Sequence, residues 1–213
     1  MRVLVLGASG GVGKYLVGLA AAAGHDVTCL SRAPMEVPAG VKLVVDDLSR
    51  PGCLDALVEG QDAVLSALGL KRVSPNPFSA LSSPPDLTSA TARLLVTAMK
   101  AHGVRQVIAV SASGVGDSAP GLNLMMRFMI AATTIGRMYA DLELMERVYA
   151  ASGLDWCCAR PTGLSDGEPT RQVKVIPNFP LTARIRRSDV AWWMVEQLGK
   201  DHGALRTPTL TGA

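Results

Sequence analysis

The chain has 213 residues, of which 48% are hydrophobic, 18% are charged and 4% are aromatic. This length and composition predict one α/β domain over residues 1–213, with a parallel sheet buried on both faces by helices. The net charge of +3 is too small to indicate nucleic-acid binding, and no stretch has the ~18–20 apolar residues of a membrane span.

The cysteine spacing gives no sign of a metal site. The four cysteines form no CxxC pair and no His/Cys cluster with zinc spacing, so no metal is expected. Cys29, Cys157 and Cys158 lie in apolar runs and are interpreted as small core residues. Free thiols indicate a reducing compartment, and the short apolar start at residues 3–6 runs into a glycine loop instead of a signal sequence. We therefore expect a cytoplasmic protein.

The first half of the chain alternates strands with helices. The predicted order is strand 3–6, helix 12–23, strand 27–30, strand 41–45, helix 54–58 and strand 63–66. Gly24 and Gly60 follow the two helices and end them. Residues 70–85 are rich in Ser and Pro, which is typical of a loop.

The second half continues the alternation. It reads as helix 87–101, strand 107–110, loop 114–120, an apolar Met-rich segment 122–135, helix 137–151, strand 154–159, a small strand 173–176 and helix 188–198. Ser188 is predicted to cap the last helix, with Asp189 favouring its dipole. Right-handed crossovers then give a single-domain Rossmann fold, a doubly wound and mostly parallel sheet of order 3-2-1-4-5-6 with a small C-terminal substrate-side region.

A glycine-rich loop lies between the first strand and the first helix. It reads Gly7-Ala8-Ser9-Gly10-Gly11-Val12-Gly13. Gly7 permits the tight turn, Gly10 lets the backbone approach a pyrophosphate, and Gly13 lets the helix pack close to the strand. The helix N-terminus offers free amides to the phosphates. This context predicts dinucleotide binding, the alternative being a glycine-rich turn that holds no ligand.

The end of the second strand bears on the choice of cofactor. NAD-binding proteins usually place an acid there to hold the ribose hydroxyls, whereas this chain has Ser31 followed by Arg32. A guanidinium can bind a 2′-phosphate with two donors and stack beside the adenine. We therefore expect NADP(H) to be preferred over NAD(H), unless Arg32 is an ordinary surface arginine.

Further motifs follow the glycine loop in a specific order. They are Leu30-Ser31-Arg32, Val45-Asp46-Asp47-Leu48, Gly60-Gln61-Asp62-Ala63-Val64, Ala67-Leu68-Gly69, Ala98-Met99-Lys100-Ala101-His102-Gly103-Val104, Ser111-Ala112-Ser113-Gly114 and Arg160-Pro161-Thr162-Gly163. Over nearly the whole chain, this series resembles the atypical short-chain dehydrogenase/reductases with NAD(P)H-binding, NmrA-like domains. Within them it is most similar to the biliverdin reductase B, or flavin reductase, group.

The resemblance implies a cofactor site along the strand ends. Its implied contacts beyond the loop, from the adenine to the nicotinamide, are Asp47, Leu48, Ala67, Leu68, Gly69, Ser111, Ala112, Pro161 and Thr162. Lys71 or Arg72 would reach the phosphates, and Arg186, Arg187 and Asp189 match a short motif on the substrate side.

Several of these residues also fit purely structural roles. Asp46 and Asp47 fit a cap on the next helix. Ser111 fits a satisfied turn hydroxyl, and Pro161 fits the end of a strand. The arginines at 184–187 are also explained by a solvated helix start.

The chain departs from the pattern of the families it resembles at the positions where a proton donor is expected. Neither Tyr139 nor Tyr149 is followed four residues later by a lysine, so the Tyr-x-x-x-Lys pair of ordinary short-chain dehydrogenases is absent. Gly163 matches the active-site histidine of the biliverdin reductase B group, and Ala112 matches its serine. Hydride transfer to a flavin or quinone needs less help, because the cofactor carries the chemistry and solvent can supply the proton.

Two serines remain as candidate catalytic residues. Ser111 or Ser113 is predicted to donate a hydrogen bond to a substrate oxygen. The Met-rich segment 122–130 follows the fifth strand, so it should lie at the carboxyl edge of the sheet. It is either a lid over a flat acceptor, or a surface that packs against the core or a second subunit.

These observations lead to three hypotheses. An NADPH-dependent reductase of flavins, quinones or similar flat acceptors is favoured by the loop, Arg32 and the resemblance. A non-catalytic redox sensor that acts through a protein partner is favoured by the missing proton donors. A sugar-nucleotide epimerase or dehydratase is disfavoured by the missing Tyr-x-x-x-Lys pair. The expected partner is a small flat molecule, with no nucleic acid or membrane, and the expected assembly is a monomer or small homo-oligomer.

Overall fold

The computed structural model describes residues 1–177 and 182–213. The strands are β1 (Arg2–Leu6), β2 (Asp26–Ser31), β3 (Lys42–Val45), β4 (Ala63–Ser66), β5 (Gln106–Val110), β6 (Asp155–Pro161), β7 (Gly163–Ser165), β8 (Val173–Ile176), β9 (Arg184–Arg186) and β10 (Thr209–Gly212). The helices are α1 (Gly13–Ala22), α2 (Cys53–Val58), α3 (Leu87–Ala101), α4 (Leu124–Ala132), α5 (Ile135–Ala150) and α6 (Arg187–Glu196), with a short 3₁₀ helix at Gly116–Gly121.

Eight strands form the central sheet in the order β3-β2-β1-β4-β5-β6-β10-β8, and β7 pairs with β9 in a separate parallel pair. The predicted order 3-2-1-4-5-6 is confirmed for the first six strands, which are all parallel. Beyond β6, the sheet is extended by β10 and by the antiparallel edge strand β8. The small strand predicted at 173–176 is this edge strand.

The core lies on both faces of the sheet, as the alternation along β1 shows. Val3 and Val5 point to the side covered by α1 and α6, whereas Leu4 and Leu6 point to the side covered by α2, α3 and α5. This period of two is what an extended strand buried on both faces produces. Cys29, Cys157 and Cys158 are buried free thiols within these two layers, as predicted.

The Met-rich segment 122–135 contains helix α4, which ends at Ala132, and α5 begins at Ile135, two residues before the predicted helix 137–151. Thr133 and Thr134 separate the two helices. The Asn123 side chain caps α4 by accepting from the Met126 amide at 2.9 Å, and Thr134 donates through its amide and its hydroxyl to Pro77 O, at 3.1 and 2.7 Å. The 70–85 loop is thereby tied to the turn between α4 and α5.

The predicted cap of the last helix is wrong, because α6 begins one residue earlier, at Arg187. The Ser188 hydroxyl instead donates to Gly167 O at 2.6 Å. The Asp189 carboxylate accepts from the Thr170 hydroxyl and the Arg171 amide, each at 2.8 Å. These bonds fasten the loop that follows β7 onto the start of α6.

The suggestion that Asp46 and Asp47 cap the next helix is also wrong. Helix α2 begins at Cys53, and no side chain caps it. Asp46 pairs with the Arg50 side chain, and Asp47 Oδ1 accepts from the Ser49 amide at 2.8 Å. Both carboxylates therefore organise the turn after β3.

Among the helices of residues 1–177 and 182–213, none has the length and apolar character of a membrane span. Over the same residues, no group of His, Cys, Asp or Glu side chains is arranged to hold a metal ion.

Candidate functional site

The glycine loop between β1 and α1 is wound so tightly that it has no room for a side chain at position 7 or 13. A Cβ on Gly7 would lie 2.7 Å from Ala67 O, and one on Gly13 would lie 2.0 Å from Gly7 O. Gly7 also has a φ of +78°, which other residues rarely adopt. The Gly10 amide donates to Gly7 O at 2.8 Å. These glycines press the loop against the end of β4, where Ala67 lies.

The loop presents unused amides at the start of α1. The Val12 side chain makes no capping hydrogen bond, and the first turn holds no acidic residue. Within the described part of the chain, the backbone amides of residues 11–13 donate to no acceptor. Amides at a helix N-terminus require an acceptor and favour an anion. The loop therefore fits the pyrophosphate of a dinucleotide.

The predicted adenine end lies at the carboxyl ends of β2 and β3. Ser31 is buried and Arg32 is exposed. Hydrogen bonding to Ser49 lowers the pKa of Asp47, and the positive charge of the nearby Arg32 lowers it further. Arg32 and Asp47 thus lie at the ends of adjacent strands, and Leu48 is half-buried against the core.

The predicted nicotinamide end lies where β5 and β6 stop. Ser111 N donates to Ala159 O at 2.7 Å and Ser113 N donates to Pro161 O at 3.1 Å, which continues the pairing of the two strands past their ends. Thr162 is 5% exposed, and its Oγ1 has no hydrogen-bond partner among the described residues. Because burying an unpaired hydroxyl is costly, Thr162 fits a polar group of a bound molecule.

Ser111 belongs to a buried charged network that was not foreseen from the sequence. Its hydroxyl donates to Glu146 Oε1 at 2.6 Å. The Arg160 guanidinium donates to both Glu146 oxygens, at 3.0 and 2.6 Å, and to Asp117 Oδ1 at 2.5 Å. Burial opposes the charge on Arg160, but these hydrogen bonds and the charge of Glu146 raise the pKa of Arg160 overall.

The Ser111–Glu146–Arg160 network determines whether each serine hydroxyl can donate a hydrogen bond to a bound molecule. Because Arg160 donates to both oxygens of Glu146, that carboxylate is an acceptor, and the Ser111 proton is committed to it. Ser111 therefore presents only lone pairs to the site. Ser113 stays outside this network, and its carbonyl accepts from the Tyr139 hydroxyl at 3.1 Å. Of the two predicted donors, Ser113 has the geometry that leaves its proton available.

The remaining predicted contacts lie along the loop that leaves β4. Ala67 and Leu68 are half-buried and Gly69 is exposed. Lys71 is exposed, whereas Arg72 is half-buried, with Nη1 lacking a partner within residues 1–177 and 182–213. Arg72 also bridges to Leu81 in an antiparallel pair, which fixes its backbone.

Arg187 lies against the glycine loop at Gly11. A Cβ on Gly11 would lie 2.8 Å from both Cδ and Nε of Arg187. Arg187 Nη1 pairs with Asp166 Oδ1 at 3.0 Å. The sequence placed Arg187 only in a substrate-side motif, because nothing local in the chain links it to residues 7–13.

An open cleft of about 450 Å³ begins beside Ser113 and runs between the 3₁₀ helix, α4 and α5. Its lining includes Gly114, Val115, Leu122, Ile130, Tyr139 and Glu143. Leu122 is 8% exposed, but α4 contains no buried residue. Packing against the protein interior therefore accounts for the apolar character of Leu122 but not for that of α4. The exposed side chains of α4 include Leu124, Met125 and Phe128.

Comparison with known proteins gives a consistent picture. A profile for NAD(P)H-binding proteins matches residues 7–201. The 3-diazoavenalumate denitrifying reductase of a Streptomyces species is 37% identical over 123 residues, which are 52% of this chain and 38% of that relative. The chain thus matches well under half the length of this curated relative.

Two solved structures superpose on this chain over its full length. ChuY, an anaerobillin reductase from Escherichia coli O157:H7, superposes with a TM-score of 0.79 at 24% identity, covering 100% of this chain and 97% of that one. A Bacillus halodurans protein with the provisional name NAD-dependent epimerase/dehydratase has a TM-score of 0.78 at 26% identity, covering 100% and 94%. With the profile match spanning most of its length, the chain belongs to the NAD(P)H-binding family.

Proposed function

We propose that the chain is an NADPH-dependent reductase that transfers a hydride to a flat acceptor such as a flavin or a quinone. Two features at the ends of the parallel strands carry the proposal. One is the tightly wound glycine loop after β1, and the other is the cleft that opens next to Ser113, whose amide donates to Pro161 O beside Thr162. The cleft volume lies in the range of ~300–1,000 Å³ found for small-molecule sites.

The residues of the chain would position the reactants. When bound, the nicotinamide cofactor supplies the hydride. Ser111, held by Glu146, accepts a hydrogen bond, and Thr162 provides a second polar contact at the same end. Ser113 donates a hydrogen bond to the acceptor, and water entering the open cleft supplies the proton. No Tyr-x-x-x-Lys pair is needed for an acceptor that reacts by hydride transfer followed by protonation from solvent.

The names of two relatives support a reductase. The Streptomyces relative is named as a denitrifying reductase and ChuY as an anaerobillin reductase. The lining of the cleft supports an acceptor with a flat apolar body, since Val115, Leu122 and Ile130 offer no charge. Glu143 and Arg127 at its rim suit a polar tail.

The NADPH preference is tested with Arg32→Ala. A charge-assisted contact to the 2′-phosphate contributes ~1.5–3 kcal/mol, so the variant should bind NADPH roughly 10- to 100-fold more weakly and NADH almost as the wild type does. Isothermal titration calorimetry gives both affinities. Arg147→Ala, an exposed arginine on α5, is the matched control. Equal losses for NADPH and NADH would refute the 2′-phosphate assignment.

The alternative function is a redox sensor that binds the cofactor without turnover. The exposed Leu124, Met125 and Phe128 on α4 favour it, because an exposed apolar patch often marks a protein contact. NADPH oxidation measured with FMN, FAD and menadione separates the two. Turnover with any of these acceptors supports the reductase, whereas tight NADPH binding without turnover supports the sensor.

A further inference from the structure

Arg187 occupies the space that a side chain at position 11 would need. Its Cδ and Nε would each lie 2.8 Å from a Gly11 Cβ, so the absence of a side chain at Gly11 is what allows the arginine to lie flat on the loop. The Arg187 side chain is 29% exposed. The guanidinium is therefore beside the loop amides and still reachable from solvent.

The positive charge of Arg187 is only weakly compensated by the residues around it. Arg187 is the first residue of α6, where a cation opposes the helix dipole, and Gly11 precedes the N-terminus of α1 by two residues. The acidic residue in the first turn of α6, Asp189, is already bonded to Thr170 and Arg171. The partner of Arg187 is Asp166, which is 71% exposed and so compensates little of the charge.

The loop that carries Asp166 is held in place by hydrogen bonds to two buried side chains, Ser188 and Asp189. Ser188 donates to Gly167 O, and Asp189 accepts from Thr170 and Arg171. Arg186, the last residue of β9, packs on Gly167 of this loop and donates to Glu168 O at 2.7 Å. Two adjacent arginines thus have different positions, and only Arg187 contacts the glycine loop.

We propose that Arg187 is a pyrophosphate-binding residue, which exchanges Asp166 for phosphate oxygens when the cofactor binds. The amides of residues 11–13 would contact the pyrophosphate from the loop, and Arg187 would contact it from the side of α6. This rests on the cofactor site of the proposed function. Because NADH and NADPH share the pyrophosphate, Arg187 contributes to affinity, whereas Arg32 contributes to the choice between them.

Calorimetry with four ligands tests the assignment. Arg187→Ala should weaken NADPH, NADH and ADP-ribose alike, by roughly 10- to 100-fold for a charge-assisted contact. It should leave adenosine 2′-phosphate, which lacks a pyrophosphate, unchanged. The control Arg147→Ala, on the exposed face of α5, should change every affinity by less than about 2-fold, as expected for an exposed side chain away from the ligand. Asp166→Asn should bind the dinucleotides at least as tightly as wild type, because it frees Arg187.

The outcomes separate this assignment from the function it rests on. Wild-type binding of NADPH with no loss in Arg187→Ala overturns the pyrophosphate role alone, and so does weaker dinucleotide binding by Asp166→Asn. Wild-type protein that binds none of the dinucleotides overturns the proposed function as well. Arg187→Lys keeps the charge and should recover part of the affinity. Thermal denaturation without ligand checks that each variant is folded.

Discussion

Replacing Glu146 by alanine would leave Arg160 buried without its main partner. The Arg160 side chain is 4% exposed and Glu146 is 8% exposed, so the lost pair is screened little by water. Removing one member of a buried pair costs ~3–5 kcal/mol. Asp117 still accepts from Arg160 Nη1, which favours the lower end. At ~2–4 °C per kcal/mol for a chain of this size, we expect the melting temperature to fall by roughly 6–12 °C.

Glu143 provides a matched control one turn earlier on α5. It pairs with Arg147 at i+4, and the two side chains are 39% and 71% exposed. Such a surface pair contributes ~0.3–0.5 kcal/mol, so Glu143→Ala should shift the melting temperature by no more than ~2 °C. Circular dichroism melts at pH 7 without cofactor measure both variants. Similar shifts for the two glutamates would refute the view that the Ser111–Glu146–Arg160 network is a major source of stability.

Two further predictions concern the glycine loop and the acid side of the stability profile. Gly13→Ala places a Cβ 2.0 Å from Gly7 O, so it should lower the free energy of unfolding by ~1–3 kcal/mol or more and abolish dinucleotide binding. Gly18→Ala, which has open space within α1, should instead raise the free energy of unfolding by up to ~1 kcal/mol. Thermal melts measure the stability of both variants, and calorimetry measures their dinucleotide binding. Burial opposes the charge of Asp155, but hydrogen bonds from Gln106 and His202 outweigh burial and lower its pKa. The stabilising contribution of Asp155 is therefore present above the unfolded pKa of ~3.9 and is lost as the pH falls through the folded pKa. The melting temperature of Asp155→Asn should then fall less steeply below about pH 4 than that of the wild type. Parallel profiles of melting temperature against pH would contradict this.

The sequence was sufficient for the parts of the fold that rest on local signals. The first six strands are apolar runs between glycine or polar turns, and their order follows from the alternation with helices. The strands β7 and β9 have three residues each, and β9 reads Arg184-Ile185-Arg186, which carries almost no hydrophobic pattern. The strand β10 exists because it pairs with β6 and β8, and this is information that no local window contains.

In the candidate site too, the features with a local sequence signal were predicted and those that depend on tertiary contacts were not. Residues 7–13 were identified because their spacing is itself the signal. The contacts of Ser111 with Glu146, and of Gly11 with Arg187, join residues that are far apart in the chain. One signal was present in the sequence: Arg160 directly follows the apolar run 156–159 within β6, and a buried arginine requires an acidic partner. The identity of that partner depends on how α5 packs against β6.

The pairing of β6 with the segment 206–210 has a consequence for how the chain is made. The amides of Cys158, Arg160 and Thr162 donate to the carbonyls of Arg206, Pro208 and Leu210, at 2.7, 2.9 and 2.9 Å. On the ribosome, β6 therefore emerges well before its outer neighbour, and at ~5–20 residues per second its edge stays open for roughly 2–10 s. An open, apolar strand edge invites pairing with other chains. Expression yield should therefore depend on chaperones that shield the nascent chain during this interval, and the backbone of Thr162 is fixed by Leu210 only when that segment has been synthesised.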